Sequence, residues 1–278
     1  MKLKLIAAAA VLAASGAQAS MTLPSTGDSS FVFNLYDTTS SATFSADLGI
    51  SYTQWNSANM SVAGIKLVWD LDAGTFSDLS ASATGFSATL DYGTVFTSFM
   101  GEVGTANLGF DVKAGDRNNT GIPTANGNNL LVTSAASTVA ATNGVQYNAL
   151  NVLNTAMTAM NGDTVNSTHA SATNGANKFD AGEGNTSYFD GQGANLKNLS
   201  FSTGASINES LNFFKLATSG SNTGAAANVT TYAGTWSFDA ATNSLIYQTA
   251  PVPEPETYAM LLAGLGLMGA VARRRRQA

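Results

Sequence analysis

From Met21 to Lys113 apolar and polar positions alternate over short runs. Phe31, Phe33 and Leu35 interleave with Val32, Asn34 and Tyr36, and the stretches 65–69, 86–92 and 95–99 repeat the theme with β-branched and aromatic residues. Runs of this length and period predict strands. Gly74, Gly85, Gly93, Gly101 and Gly104 fall between them, where turns are needed. From Gly115 to about Ala141 the chain turns to Asn, Thr, Gly, Ala and Ser, with too few large apolar residues for a core layer, so a loop or surface insertion is expected there. Val145, Leu150, Leu153, Met157 and Met160 then recur near helical spacing, which predicts one helix ended by Asn161 and Gly162. Residues 163–195 are again polar and glycine-rich. Strand patterns return at 199–203, 211–217, 229–232, 235–239 and 244–249, the last two forming a hairpin across the 239–243 turn.

These elements predict a mainly β fold: a single β-sandwich-like domain over 20–250, with a polar insertion over 115–195 that contains one short helix. Two small β domains fit the pattern too. No repeat of solenoid period is visible.

Both ends differ from this body. Residues 1–19 carry Lys2 and Lys4, an apolar run from Leu5 to Ala14 and an Ala17-Gln18-Ala19 cleavage motif, the layout of a secretory signal peptide. Residues 251–278 hold three blocks: the proline-stiffened Pro253, Glu254, Pro255 and Glu256, an uncharged run over 258–272, and Arg273, Arg274, Arg275 and Arg276. As a helix that run spans ~22 Å, short of the ~30 Å hydrocarbon core of a bilayer. It therefore suits a temporary transmembrane anchor, and the arginines hold its end in the cytoplasm.

Those residues resemble the PEP-CTERM sorting signal of Gram-negative bacteria, in which Pro-Glu-Pro precedes an apolar helix and a terminal arginine cluster. The resemblance implies recognition by an exosortase-type enzyme in the inner membrane, removal of the tail and delivery to the cell surface or medium. It also implies company with exopolysaccharide and biofilm production. It covers Pro253, Glu254, Pro255, the apolar run and Arg273 to Arg276, and is silent on the body.

Of 12 basic residues, two lie in the leader and four in the tail; of 18 acidic residues, two lie in the tail, so the body has a net charge near −10. A surface of that sign repels nucleic acid. There are no cysteines to form disulfides or thiolate sites. His169 is the only histidine, so a histidine relay lacks its second member. Gly264 to Gly269 fits G-x-G-x-x-G but sits in the apolar run with no βαβ unit around it. No catalytic motif emerges, and the body is not expected to be an enzyme; a carboxylate-only hydrolase is the remaining catalytic reading. Calcium is the one cofactor the acidic loops suggest, through Asp70 and Asp72, through Asp116, Asn118, Thr120 and Gly121, or through Asp180, Glu183 and Asp190. Trp55, Trp69 and Trp236 read either as core or as platforms for sugar rings. The expected function is that of a structural surface or matrix protein, with a carbohydrate- or calcium-binding module as the alternative.

Overall fold

A computed structural model describes residues 21–37, 39, 42–88, 90, 93–117, 128–162, 177–180, 205–207 and 209–252, with positions 260, 263–265 and 267–268 of the C-terminal segment. The leader at 1–19 lies outside the described residues, as does the strand expected at 199–203.

The chain is mainly β, as its alternation predicts. Its strands are β1 (Ser30–Asp37), β2 (Thr43–Ser51), β3 (Lys66–Asp70), β4 (Thr75–Asp78), β5 (Leu108–Arg117), β6 (Asn128–Ser134), β7 (Asn177–Asp180), β8 (Ala205–Ser206), β9 (Leu211–Ala217), β10 (Asn228–Asp239) and β11 (Ser244–Gln248). They form one antiparallel sheet in the order β4-β3-β11-β10-β9-β6-β5-β1-β2-β7, with β8 added beside β5. Strands from both ends of the body share it, because the β3–β4 hairpin pairs with β11 and β6 pairs with β9.

The sheet is curled. Four steps of the strand order separate β1 from β10, which at ~4.8 Å per step is ~19 Å in a flat sheet. The rings of Phe33 and Phe238 nevertheless lie 6.0 Å apart, and those of Phe31 and Trp236 6.4 Å. The two halves of one continuous sheet therefore face each other as the layers of a sandwich do. Between them Trp55, Trp69, Phe213, Trp236 and Tyr247 form the centre of the core, all fully buried.

The outer face is covered as well. Helix α3 (Asn143–Gly162) packs Leu150, Leu153, Met157 and Met160 against Val32, Leu130, Val132, Phe214 and Leu216. It is the helix expected over 145–160, somewhat longer. With both faces covered, all eight residues of β1 are buried.

Three expectations need correction. The 115–141 stretch, read as loop, contains β6, a central strand. Its Leu130, Leu131 and Val132 suffice because Leu131 enters the inner core while its neighbours meet α3. The 95–99 stretch is helical, in α2 (Gly93–Val103), where Val95, Phe96 and Phe99 are buried and Thr97 and Ser98 exposed, a spacing that a helix satisfies as well as a strand. The described part of 86–92 forms no strand. Helix α1 (Tyr52–Ser57) was not foreseen. A capping box starts it: Gln54 N donates to Ser51 Oγ at 3.3 Å and Ser51 N to Gln54 Oε1 at 2.8 Å. That single turn and a half delivers Trp55 to the core.

Candidate functional site

The end of the body is tied firmly to the segment before β3. Beyond β11, Thr249 N donates to Ile65 O at 3.0 Å, Gly64 N to Ala250 O at 2.7 Å and Thr249 Oγ1 to Val62 O at 2.7 Å. Gly64 has φ +83°, and a Cβ there would come within 2.6 Å of Val252 Cγ2, so only glycine lets the chain cross so closely. An open groove of about 750 Å³ lies here, lined by Lys66, Leu79, Ala81, Ala233, Thr235 and Val252 among others. The sorting residues Pro253, Glu254, Pro255, Arg273, Arg274, Arg275 and Arg276 lie outside the described residues. Within the 258–272 run the described positions are helical. Met260, Leu265, Leu267 and Met268 there are 52–74% exposed. Among the described residues no helix is long and apolar enough to cross a membrane.

The other residues singled out from the sequence are scattered. Trp55, Trp69 and Trp236 are fully buried, so none offers a face to a sugar. Asp70 and Asp72 belong to the β3–β4 turn: Asp70 Oδ1 accepts from Ala73 N at 2.9 Å and Asp72 Oδ2 from Asn243 Nδ2 at 2.8 Å. Asp116 closes the inner face of β5, while Asn118, Thr120 and Gly121 lie outside the described residues. Asp180 ends β7, paired with Thr43; Glu183, Asp190 and His169 fall outside. Among the described residues no group of three or more His, Cys, Asp or Glu could share a metal ion.

Two polar groupings escaped the sequence reading. The first lies at one mouth of the curled sheet. Lys215 Nζ donates to Asn56 Oδ1 at 2.6 Å and stands over the Tyr52 ring, 5.6 Å from its centre. Burial lowers its pKa, while the nearby Asp116 carboxylate opposes the shift. Asp116 is itself pushed up, first by burial and further by Asp28.

The second grouping is fully enclosed. The register of β2, β1 and β5 sets Ser45, Asn34 and Asp111 in one row, with Lys113 two residues on from Asp111 on the same face. Ser45 Oγ donates to Asn34 Oδ1 at 2.7 Å, Asn34 Nδ2 donates to Asp111 Oδ1 at 2.9 Å, and Lys113 Nζ donates to Asp111 Oδ2. Asn34, Asp111 and Lys113 are wholly buried and Ser45 nearly so. Burial pushes the Asp111 carboxyl up and the Lys113 amine down, each toward its neutral form. In sequence, Asp111 and Lys113 alternate with Phe110, Val112 and Ala114 and so read as a solvated face. Only the covering of the outer face, visible in three dimensions, reverses that reading.

Comparison with known families reaches the tail. Residues 251–276 match the PEP-CTERM protein-sorting motif. No curated protein and no solved structure matches the chain. The match begins at Pro251, just after Ala250 O accepts from Gly64 N, and it takes in the proline-glutamate segment, the exposed apolar positions and the arginine cluster. The chain is thus an exported, mainly β protein that carries a PEP-CTERM sorting signal, is anchored transiently in the membrane, and is sorted by way of an exosortase to the cell surface or medium.

Proposed function

We propose that the body is a structural protein of the cell surface or extracellular matrix, associated with exopolysaccharide or biofilm, and not an enzyme. The observation that carries this reading is the sorting tail joined to a curled sheet whose large aromatic residues are spent on its own core. All three tryptophans are fully buried, and the body's acidic excess suits a soluble, hydrated environment. The test is fractionation of a producing strain. Co-extraction of the protein with matrix polysaccharide, together with weakened matrix cohesion in a deletion strain, is the expected result. Free protein in the medium and an unaltered matrix would overturn the proposal.

Calcium binding is the second reading, and it has one specific support. Asp116 Oδ1 is buried with no hydrogen-bond partner among the described residues, at the start of one of the acidic loops. A cation bound only by the native state raises the melting temperature by mass action. Millimolar Ca²⁺ should therefore raise it where Mg²⁺ does not; equal curves would remove the reading.

A further inference from the structure

We propose that Lys113 and Asn34 become joined by an amide bond between Lys113 Nζ and Asn34 Cγ, formed by the protein itself, with Asp111 carrying the proton and Ser45 polarising the Asn34 carbonyl. The four side chains are the buried row described above. What distinguishes them from an ordinary buried ion pair is that one carboxyl group bonds both an amine and an amide, and a hydroxyl donates to the oxygen of that amide.

The nucleophile is Lys113 Nζ, the electrophile the Asn34 side-chain amide. Asn34 pairs directly with Asp111 across the β1–β5 ladder, so Lys113 is its diagonal neighbour. That separation is ~7 Å between backbones and within reach of a long side chain. One carboxylate touches both reactants: Asp111 Oδ2 accepts from Lys113 Nζ and Asp111 Oδ1 accepts from Asn34 Nδ2. Ser45 Oγ–H points at Asn34 Oδ1, the oxygen on which negative charge develops during attack, a donor placed as in an oxyanion hole. Val32, two residues before Asn34 on the same face of β1, and Val132, which pairs with Lys113 from β6, are fully buried apolar neighbours, and Asn34, Asp111 and Lys113 are themselves closed to water.

The step balances. Burial favours the uncharged pair, in which the lysine proton has passed to Asp111 and Nζ carries a free electron pair. That pair attacks Cγ, and the carbonyl electrons move to Oδ1, held by Ser45. Asp111 takes a proton from Nζ at one oxygen and gives one to Nδ2 at the other. The carbonyl reforms, the Cγ–Nδ2 bond breaks, and the nitrogen leaves as ammonia with its electron pair. Amide plus amine become a secondary amide plus ammonia, Asp111 is regenerated, and no oxidant or cofactor is required. The bond ties β1 to β5 in an exported chain that has no cysteine for a disulfide.

Mass spectrometry of the purified full-length product decides the matter without relying on any variant. The expected result is a chain lighter by one ammonia than its sequence. After denaturation and trypsin digestion it should give a branched peptide joining the segments that contain Asn34 and Lys113. An unaltered mass with cleavage after Lys113 would overturn the proposal, because trypsin cuts only beside a free lysine amine. Loss of one water with the branch at Asp111 would overturn it too. Asp111→Asn, checked for folding by circular dichroism, should yield the linear chain. A branched chain in that variant would refute the proton-carrying role.

Discussion

Trp55 is the residue on which the inner core turns, and its removal has a calculable cost. It is fully buried, and its ring lies within 4.8–6.1 Å of six others: Phe31, Phe86, Phe213, Tyr232, Trp236 and Tyr247. A buried tryptophan removes ~200 Å² from water, which at ~25 cal/mol per Å² is ~5 kcal/mol. Alanine keeps a small part of this, and partial collapse of the cavity recovers more, so Trp55→Ala should cost ~4 kcal/mol, inside the range for such truncations. For a domain of this size that lowers Tm by ~10 °C. Gln54→Ala is the matched control, since it strips one arm of the capping box and leaves the ring; it should cost ~0.5–1 kcal/mol. Urea unfolding followed by circular dichroism measures both without using tryptophan emission. A Trp55→Ala loss below ~1 kcal/mol, or one equal to that of Gln54→Ala, would show that α1 is not docked as described.

Other expectations follow from the same geometry. Gly234→Ala would place a Cβ 2.3 Å from the Tyr247 ring, which its hydroxyl bond to Met60 O pins at 2.8 Å; a loss of ~1–3 kcal/mol in the same urea assay is expected. Asp47 has its pKa raised by burial, against bonds from Ser30 Oγ and Gly49 N. A folded pKa above the unfolded one means stability that is full below the unfolded value of ~3.9 and is lost as pH rises through the folded value. Asp47→Asn should therefore flatten the stability–pH curve, and parallel curves for the two proteins between pH 3 and 7 would contradict this. In the tail, replacing Arg273 to Arg276 with uncharged residues should weaken the stop to transfer. Replacing Glu254 should leave insertion intact and impair processing. The mass of the mature C-terminus in a host with the processing enzyme reads both, and wild-type protein that still carried Arg276 would mean the tail anchors without being cut.

Sequence pattern was most informative where one cause dominates. The alternation of Phe31 to Tyr36, and the hairpin from Thr235 to Tyr247, were legible because side-chain period and turn residues agree. The sorting tail was legible because its three blocks act in chain order. Val95 to Phe99 misled because five residues with apolar positions at the first, second and fifth fit a helical face and a strand run alike. Leu130 to Val132 were missed because three apolar residues amid Asn and Ser look too few, and they suffice only where other elements cover both faces. Asp111 and Lys113 were invisible as buried chemistry for the same reason: burial there is decided by α3 and by neighbouring strands far away in sequence. The capping box at Ser51 and Gln54 was present in the letters, but α1 is too short to show a period of its own.

The strand that leads into the tail is not at an edge. β11 is flanked by β10 on one side and β3 on the other, and the pairing with the 62–66 segment continues to Ala250. A pull on the tail while its helix is still held in the membrane therefore loads two ladders lengthwise at once. The hydrogen bonds share the force in shear, where an edge strand would peel away one bond at a time. Resistance of this kind is governed by the rate of unfolding rather than by equilibrium stability. The domain is thus joined to its anchor through a strand held on both sides rather than through one free to peel away.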